Sequence, residues 1–108
     1  MAKFLVEARY TAQGKQGLRK DGGSGRRDAT AHALTAIGGR LEAMYFAFGE
    51  RDVIIIADIP DNVSAAAVAI AAASTGHLET KMTPLLTVEE IDQALSKQTE
   101  YRPPGQKG

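Results

Sequence analysis

A hairpin with apolar residues on both faces constrains this fold more than any other feature. Two apolar stretches, residues 40–48 and 52–59, flank the short turn Gly49-Glu50-Arg51, and this arrangement predicts a β-hairpin. Alternation puts Met44, Phe46, Phe48, Ile54 and Ile56 on one face and Leu41, Tyr45, Val53 and Ile55 on the other. An antiparallel sheet with one face in water alternates apolar and polar residues instead. Both faces of this hairpin therefore require a cover.

The order of the remaining elements predicts the fold class. Strands are expected at residues 3–10, 40–48, 52–59 and 77–83, and helices at 24–37, 63–74 and 87–97. Ser24 is the expected N-cap of the first helix, residues 14–18 form at most a turn, and Thr87 and Glu90 form a capping box. The order predicts an α+β, ferredoxin-like split βαβ fold with a four-stranded antiparallel sheet. Residues 1–97 are the expected domain, and residues 98–108 a flexible C-terminal tail.

In such a fold two helices cover one face of the sheet, so the second face needs another cover. A second copy of the chain would cover it through a two-fold contact and form a dimeric α/β barrel; alternatively, the C-terminal helix folds back over it. We favour the second copy. The core is thin, because 18 of the 47 apolar residues are alanine and only 29 carry larger side chains, so burial between subunits would add stability.

Composition excludes several functional classes. Lysine plus arginine equals aspartate plus glutamate at 13 each, which argues against nucleic acid or a membrane surface as the partner. The chain has no cysteine and only two distant histidines, so no metal or other cofactor is expected. The longest strongly apolar run is too short to span a membrane. The chain begins without a stretch typical of a signal peptide, so a cytoplasmic location is expected.

The segment around residues 19–27 is the most unusual part of the sequence. Two arginines follow three glycines and a serine, and they fall in the first turn expected after Ser24, where the helix dipole disfavours cations. Glycine backbone, free amides and guanidinium groups together can hold a phosphate or a carboxylate. The candidate anion site is Gly23, Ser24, Arg26 and Arg27. The alternative, which we favour, is that the arginines pair with Asp21, Asp28 or, in a dimer, Glu42.

A second group of polar residues lies on the strands. Tyr45 and Glu42 are candidates for a cleft formed by the barrel, although Tyr45 is more simply interpreted as a core residue with a hydrogen-bonded hydroxyl. His32 and His77 are both expected to be solvated. Asp52 is expected to stabilise the hairpin turn.

Four stretches resemble the GYD domain family in sequence. They are residues 38–53 (GGRLEAMYFAFGERDV), 58–62 (DIPDN), 22–27 (GGSGRR) and 83–87 (TPLLT). The resemblance covers roughly residues 1–97 and implies a small bacterial protein of the dimeric α/β barrel superfamily, with no established function. Arg51 departs from the family signature, which carries a tyrosine before the aspartate.

These features lead to two functional hypotheses. The first is a cytoplasmic homodimer or higher homo-oligomer that binds a small molecule, which the arginines allow to be anionic, or that serves as an interaction module. The alternative is an enzyme of the cofactor-free monooxygenase kind that acts in the barrel cleft. An enzyme needs an acid or base at a pocket, and the eligible residues are Tyr45, Glu42, His32, Arg26 and Arg27.

Overall fold

The fold is a four-stranded antiparallel sheet with two helices packed on one face. The computed structural model describes residues 1–107. In chain order its elements are β1 (Ala2–Tyr10), α1 (Ala12–Ala36), β2 (Arg40–Phe46), β3 (Val53–Ile59), α2 (Asn62–Ser74), β4 (Leu78–Leu85) and α3 (Val88–Ser96). The strand order is β2-β3-β1-β4, and each neighbouring pair is antiparallel. The predicted α+β ferredoxin-like fold is confirmed.

The core lies between the sheet and the two long helices. Its strand residues are Phe4, Val6, Ala8, Tyr10, Val53, Ile55, Ala57 and Ile59, the alternate positions of the two central strands. Leu34 of α1 and Ala65 of α2 complete it. We call this the helix-covered face and the opposite side the open face. Helix α1 packs mainly against β2 and α2 mainly against β4, so the helices lie above opposite edges of the sheet.

Helix α1 begins much earlier than the sequence predicted. Its N-cap is Thr11, whose hydroxyl accepts a hydrogen bond from the Gly14 amide at 3.2 Å, so the prediction that Ser24 caps this helix was wrong. The irregularity predicted at residues 21–23 is present as a break at Gly22, where φ is 75° and ψ is 170°. Only glycine adopts this region easily. We call residues 12–21 the first arm of α1 and residues 23–36 the second arm.

A β-bulge in β2 changes which residues share a face. The register shifts between Leu41 and Ala43, so Glu42 is an extra residue in the strand. Beyond it, Met44 lies opposite Ile55, and Tyr45 lies opposite Ile54. The predicted grouping of Met44 and Phe46 with Ile54 was therefore wrong, because one inserted residue reverses the alternation of the rest of the strand. Tyr45 and Ala43 lie on the open face, whereas Met44 and Phe46 lie on the helix-covered face.

Helix α3 does not cover the open face. Every residue from Val88 to Gln106 is exposed, so the alternative in which the C-terminal helix folds back over the sheet was wrong. The capping box of Thr87 and Glu90 is present as predicted. The chain is elongated, with extents of 59 × 30 × 22 Å and a radius of gyration of 17.4 Å, against about 13 Å for a compact chain of this length. From residue 97 to residue 107 no helix or strand forms; Gly108, the last residue of the predicted tail, lies outside the described residues.

Candidate functional site

A cavity of about 460 Å³ lies between the helices on the helix-covered face. Its floor is formed by the central strands and β4, which contribute Val6, Ala8, Ile55 and Met82. Its lining is mostly apolar, and it is partly open to solvent. Sites for small molecules have volumes of roughly 300–1,000 Å³ and are mostly apolar with a few polar groups. We call this space the helix-side cavity, and it is the best candidate for a functional site.

Small side chains keep the cavity open. The second arm of α1 contributes Ala29 and Ala33 to one wall, and α2 contributes Val68 and Ala72 to the other. Because α1 packs mainly against β2 and α2 mainly against β4, the two helices leave a gap between them over the central strands. Larger residues at these wall positions would fill the gap. The alanine richness that makes the core thin is therefore also what leaves space for a ligand.

The first arm of α1 closes one end of the cavity. Thr11 at its start donates its backbone amide to the His77 carbonyl at 2.9 Å, next to β4, and Gly23 beyond its end lies beside the Phe46 ring of β2. These strands are opposite edges of the sheet. Ten helical residues span about 15 Å, and four strands are about 14 Å across. The first arm therefore crosses the full width of the sheet.

The charged groups of the cavity lie on either side of the break in α1. Asp21 ends the first arm and Arg26 belongs to the second, and both line the cavity. The Arg26 Nη1 atom is 3.6 Å from the Asp21 carboxylate, which is too long for a hydrogen bond. The side chain of Arg26 is 30% exposed and that of Asp21 is 45% exposed. The guanidinium group is thus the more enclosed member of a loose ion pair.

His77 also lines the cavity, at the start of β4. Its Nδ1 atom is 3.0 Å from the Thr75 carbonyl oxygen. A carbonyl oxygen can only accept, so this contact places the hydrogen on Nδ1 and leaves a lone pair on Nε2 in the neutral ring. His77 is half-buried and so only partly solvated. His32 is exposed, as expected.

The four residues of the predicted anion site do not meet at one point. Only Arg26 lines the helix-side cavity. Ser24 is exposed, and Arg27 is 61% exposed with its Nε atom 3.7 Å from the Asp28 carboxylate. Gly23 faces the Phe46 ring and a shallower depression beside the hairpin. The arginines thus lie near the acidic residues that the alternative interpretation named, Asp21 and Asp28.

Tyr45 and Glu42 lie away from the helix-side cavity. Tyr45 is on the open face and 70% exposed, so it is not a core residue within the single chain. The Glu42 carboxylate accepts a hydrogen bond from Lys3 Nζ at 2.8 Å. The cleft predicted for Tyr45 and Glu42 would form only between two copies of the chain.

An ion cluster links three strands on the open face. The Asp58 carboxylate accepts hydrogen bonds from Arg40 Nη2 at 2.8 Å and from Lys3 Nζ at 3.0 Å. These bonds, the one from Arg40 foremost, hold the pKa of Asp58 below its ordinary value. Hydrogen bonds to Glu42 and then to Asp58 raise the pKa of Lys3. The cluster stabilises the charged forms and fixes the ends of β1, β2 and β3 together.

The turn residues of the hairpin have structural roles. Asp52 accepts a hydrogen bond from the Tyr10 amide at 2.8 Å, and its own amide donates to the Ala8 carbonyl at 2.9 Å. It therefore joins the hairpin to β1 just beyond the last paired residues, Ala8 and Val53. Arg51, at the position where the family signature has tyrosine, has its Nε atom 3.7 Å from the Glu7 carboxylate.

Sequence reasoning missed the cavity itself and His77 as part of it. The one signal available was the set of alanines facing the core on both helices.

In the described part of the chain, no cluster of three or more potential metal ligands occurs. None of the helices in residues 1–107 is long and apolar enough to cross a membrane.

Comparison with known proteins settles the family. The sequence model of the GYD domain matches residues 4–95, which is most of the chain. The chain belongs to the GYD domain family. Neither the curated proteins nor the solved structures contain a significant match. The function of this GYD domain protein must therefore be argued from its own residues.

Proposed function

We propose that this GYD domain protein binds a small, largely apolar molecule in the helix-side cavity. The observation that carries the proposal is an apolar space of about 460 Å³ directly above the central strands. A cavity in a core costs free energy of folding. A chain with only 29 larger apolar residues would therefore become more stable if larger side chains filled this space. This protein instead keeps alanines on both walls. A ligand of matching size would bury the exposed apolar lining.

A fluorescent probe tests this proposal. N-phenylnaphthylamine is uncharged and apolar, and its emission rises when it enters an apolar site. Ala72→Phe and Ala33→Phe would fill the cavity from opposite walls, whereas Ala71→Phe adds the same ring to an exposed neighbour outside the cavity. We expect both cavity variants to lose at least about tenfold in probe affinity, equivalent to about 1.4 kcal/mol. Binding that is equal in all folded variants, or absent from the wild type, would refute the proposal.

We propose further that two copies associate through their open faces. The central part of this face carries Leu5, Ile54 and Ile56, and the neighbouring Tyr45 is 70% exposed. An apolar patch of this kind, rimmed by charged residues such as Lys3 and Asp58, is typical of an interaction surface. The family resemblance to dimeric α/β barrels supports the same arrangement. The cavity of each subunit would then lie on the outer, helix-covered side of the dimer.

A further inference from the structure

We infer that the ligand of the helix-side cavity is an apolar acid whose anionic group binds Arg26. This inference rests on the proposed function, because it assigns the chemistry of a ligand in that same cavity. Among the residues that line the cavity, Asp21 and Arg26 are the ones with permanently charged side chains. The rest of the lining is apolar or small, apart from His77 and the threonines Thr30, Thr75 and Thr80. The cavity thus offers a ligand one cation and an extended apolar surface.

The loose pairing of Arg26 leaves its guanidinium available. At 3.6 Å from Asp21 it gains Coulomb attraction but no hydrogen bond from that carboxylate. A guanidinium presents donors in a planar fork that matches a carboxylate or sulfonate with two parallel bonds. An anion held in this way would satisfy donors that the Asp21 contact leaves unused. The partly enclosed site strengthens that interaction relative to one in bulk water.

The break at Gly22 explains why Asp21 yields its place to a ligand. Asp21 and Arg26 would lie on adjacent turns of a continuous helix, but the break at φ 75° and ψ 170° puts them on different arms. The Asp21 side chain is 45% exposed to solvent, whereas that of Arg26 is more enclosed at 30%. When an anion approaches, the carboxylate of Asp21 can turn toward solvent at little cost. Asp21 therefore acts as an exchangeable counter-ion that keeps Arg26 paired when the cavity is empty.

The apolar body of the ligand would lie over the strands. Besides Arg26, the cavity is lined by Val6, Ile55 and Met82 on the sheet and by His77 just before β4. A molecule with its anion at one end would place the rest of its surface on these side chains. An acid with an aromatic or branched aliphatic body fits this chemistry, whereas a fully polar anion such as inorganic phosphate would leave most of the lining unburied. The inference is thus of an amphipathic acid rather than of an inorganic anion.

A matched pair of probes tests the inference separately from the proposed function. Anilinonaphthalene sulfonate is N-phenylnaphthylamine with one sulfonate added, so the pair differs only by the anion. We expect the sulfonate probe to bind the wild type more tightly than the neutral probe. Arg26→Gln should weaken the sulfonate probe about tenfold and leave the neutral probe within about twofold, since one charge-assisted pair is lost. The matched control is Arg27→Gln, which removes an exposed arginine outside the cavity and should change neither affinity.

A second variant changes the anion site in the opposite direction. Asp21→Asn removes the competing carboxylate and should tighten the sulfonate probe severalfold without changing the neutral probe. Ala72→Phe must reduce both signals, which assigns them to the cavity rather than to the open face. If the neutral probe binds in the cavity but Arg26→Gln and Asp21→Asn leave the sulfonate probe unchanged, the inference is wrong and the proposed function stands. If neither probe binds in the cavity, both are wrong.

Discussion

A Cβ atom added to Gly14 would lie 1.9 Å from the carbonyl oxygen of His77. The first arm of α1 therefore rests on the backbone of His77, just before β4, at a distance that only glycine permits. Gly14→Ala must push the two backbones apart, and neither can yield as a flexible side chain would. We expect a loss of about 2 kcal/mol or more in the free energy of unfolding, the range of severe overpacking. Chemical denaturation monitored by circular dichroism measures this loss.

Gly17→Ala is the matched control for this prediction. Gly17 lies one turn later in the same arm, and no described atom outside its own helix lies within 4 Å of a Cβ placed there. Alanine in a helix interior is favoured over glycine by about 0.5–1 kcal/mol. This variant should therefore be slightly more stable than the wild type. Equal stability of the two variants would show that the first arm does not pack on β4 as described.

The contact between Asp52 and Tyr10 predicts a graded effect of two substitutions. Asp52→Ala removes the acceptor for the Tyr10 amide and should cost about 1.5–3 kcal/mol, as for a lost hydrogen bond to a charged group. Asp52→Asn keeps an acceptor oxygen at the same place and should cost less. Thermal unfolding of both variants checks the order. An asparagine variant as unstable as the alanine variant would indicate that charge, not the hydrogen bond, is what matters.

The ion cluster on the open face predicts how stability depends on pH. The pKa of Asp58 is lowered from 3.8 in the folded state, so between its folded and unfolded pKa values the unfolded chain binds more protons. Stability therefore rises with pH in this range. The contribution of Asp58 should be present above about pH 3.8 and be lost as the pH falls through the folded value. Denaturation curves collected from neutral to acidic pH should show this loss.

The variant Asp58→Asn checks whether the loss of stability at acidic pH comes from Asp58. We call the acidic part of the stability curve its acid limb. The variant should be less stable than the wild type at neutral pH, because Arg40 and Lys3 lose their charged partner. It should also lose less stability on acidification. Asp28→Asn, which removes a carboxylate of an exposed residue on α1, is the control and should keep the acid limb of the wild type. An Asp58→Asn curve parallel to that of the wild type at every pH would contradict the prediction.

The fold could be predicted because its signals are local. Alternation in residues 3–10 and 53–59, the capping residues Asp61 and Thr87, and the glycines after the first two helices set the element order. The bulge at Glu42 could not be predicted, since an extra strand residue is stabilised by its partner strand and leaves no mark on composition. The early start of α1 was missed because the segment from Gly14 to Gly25 is rich in glycine, and tertiary contacts such as Gly14 with His77 outweighed its low helix propensity.

The candidate site was predicted only in part, for a physical reason. Arg26 stood out because a cation in a glycine-rich segment near a helix start is unusual, and it does line the cavity. The cavity itself depends on how far apart α1 and α2 lie, which is set by packing on β2 and β4 and not by local sequence. His77 lines the cavity for the same reason, because the packing of the helices on the sheet places the cavity beside it. The prediction for Tyr45 and Glu42 depends on the association of two copies through the open face.

The proposed association through the open face predicts that one substitution separates the subunits. Ile54→Lys places a charge in the centre of that face. Within one chain, residue 54 lies directly opposite Glu7, so the new lysine gains a cross-strand partner and the isolated fold should not be destabilised. In an open-face dimer, the interface would instead have to bury one added lysine charge from each subunit. We therefore expect the wild type to sediment as a dimer and this variant as a folded monomer.

Ile70→Lys supplies the control, because it makes the same change at a residue of α2 that is 66% exposed and lies on the helix layer away from the open face. Analytical ultracentrifugation over a dilution series should find this variant dimeric at the same concentrations as the wild type. Circular dichroism should show that both variants are folded, which separates loss of association from loss of structure. A wild type that remains monomeric throughout the series would refute the open-face dimer. Dissociation of the Ile70→Lys variant, with Ile54→Lys still dimeric, would instead move the interface to the helix layer, where it would cover the cavity.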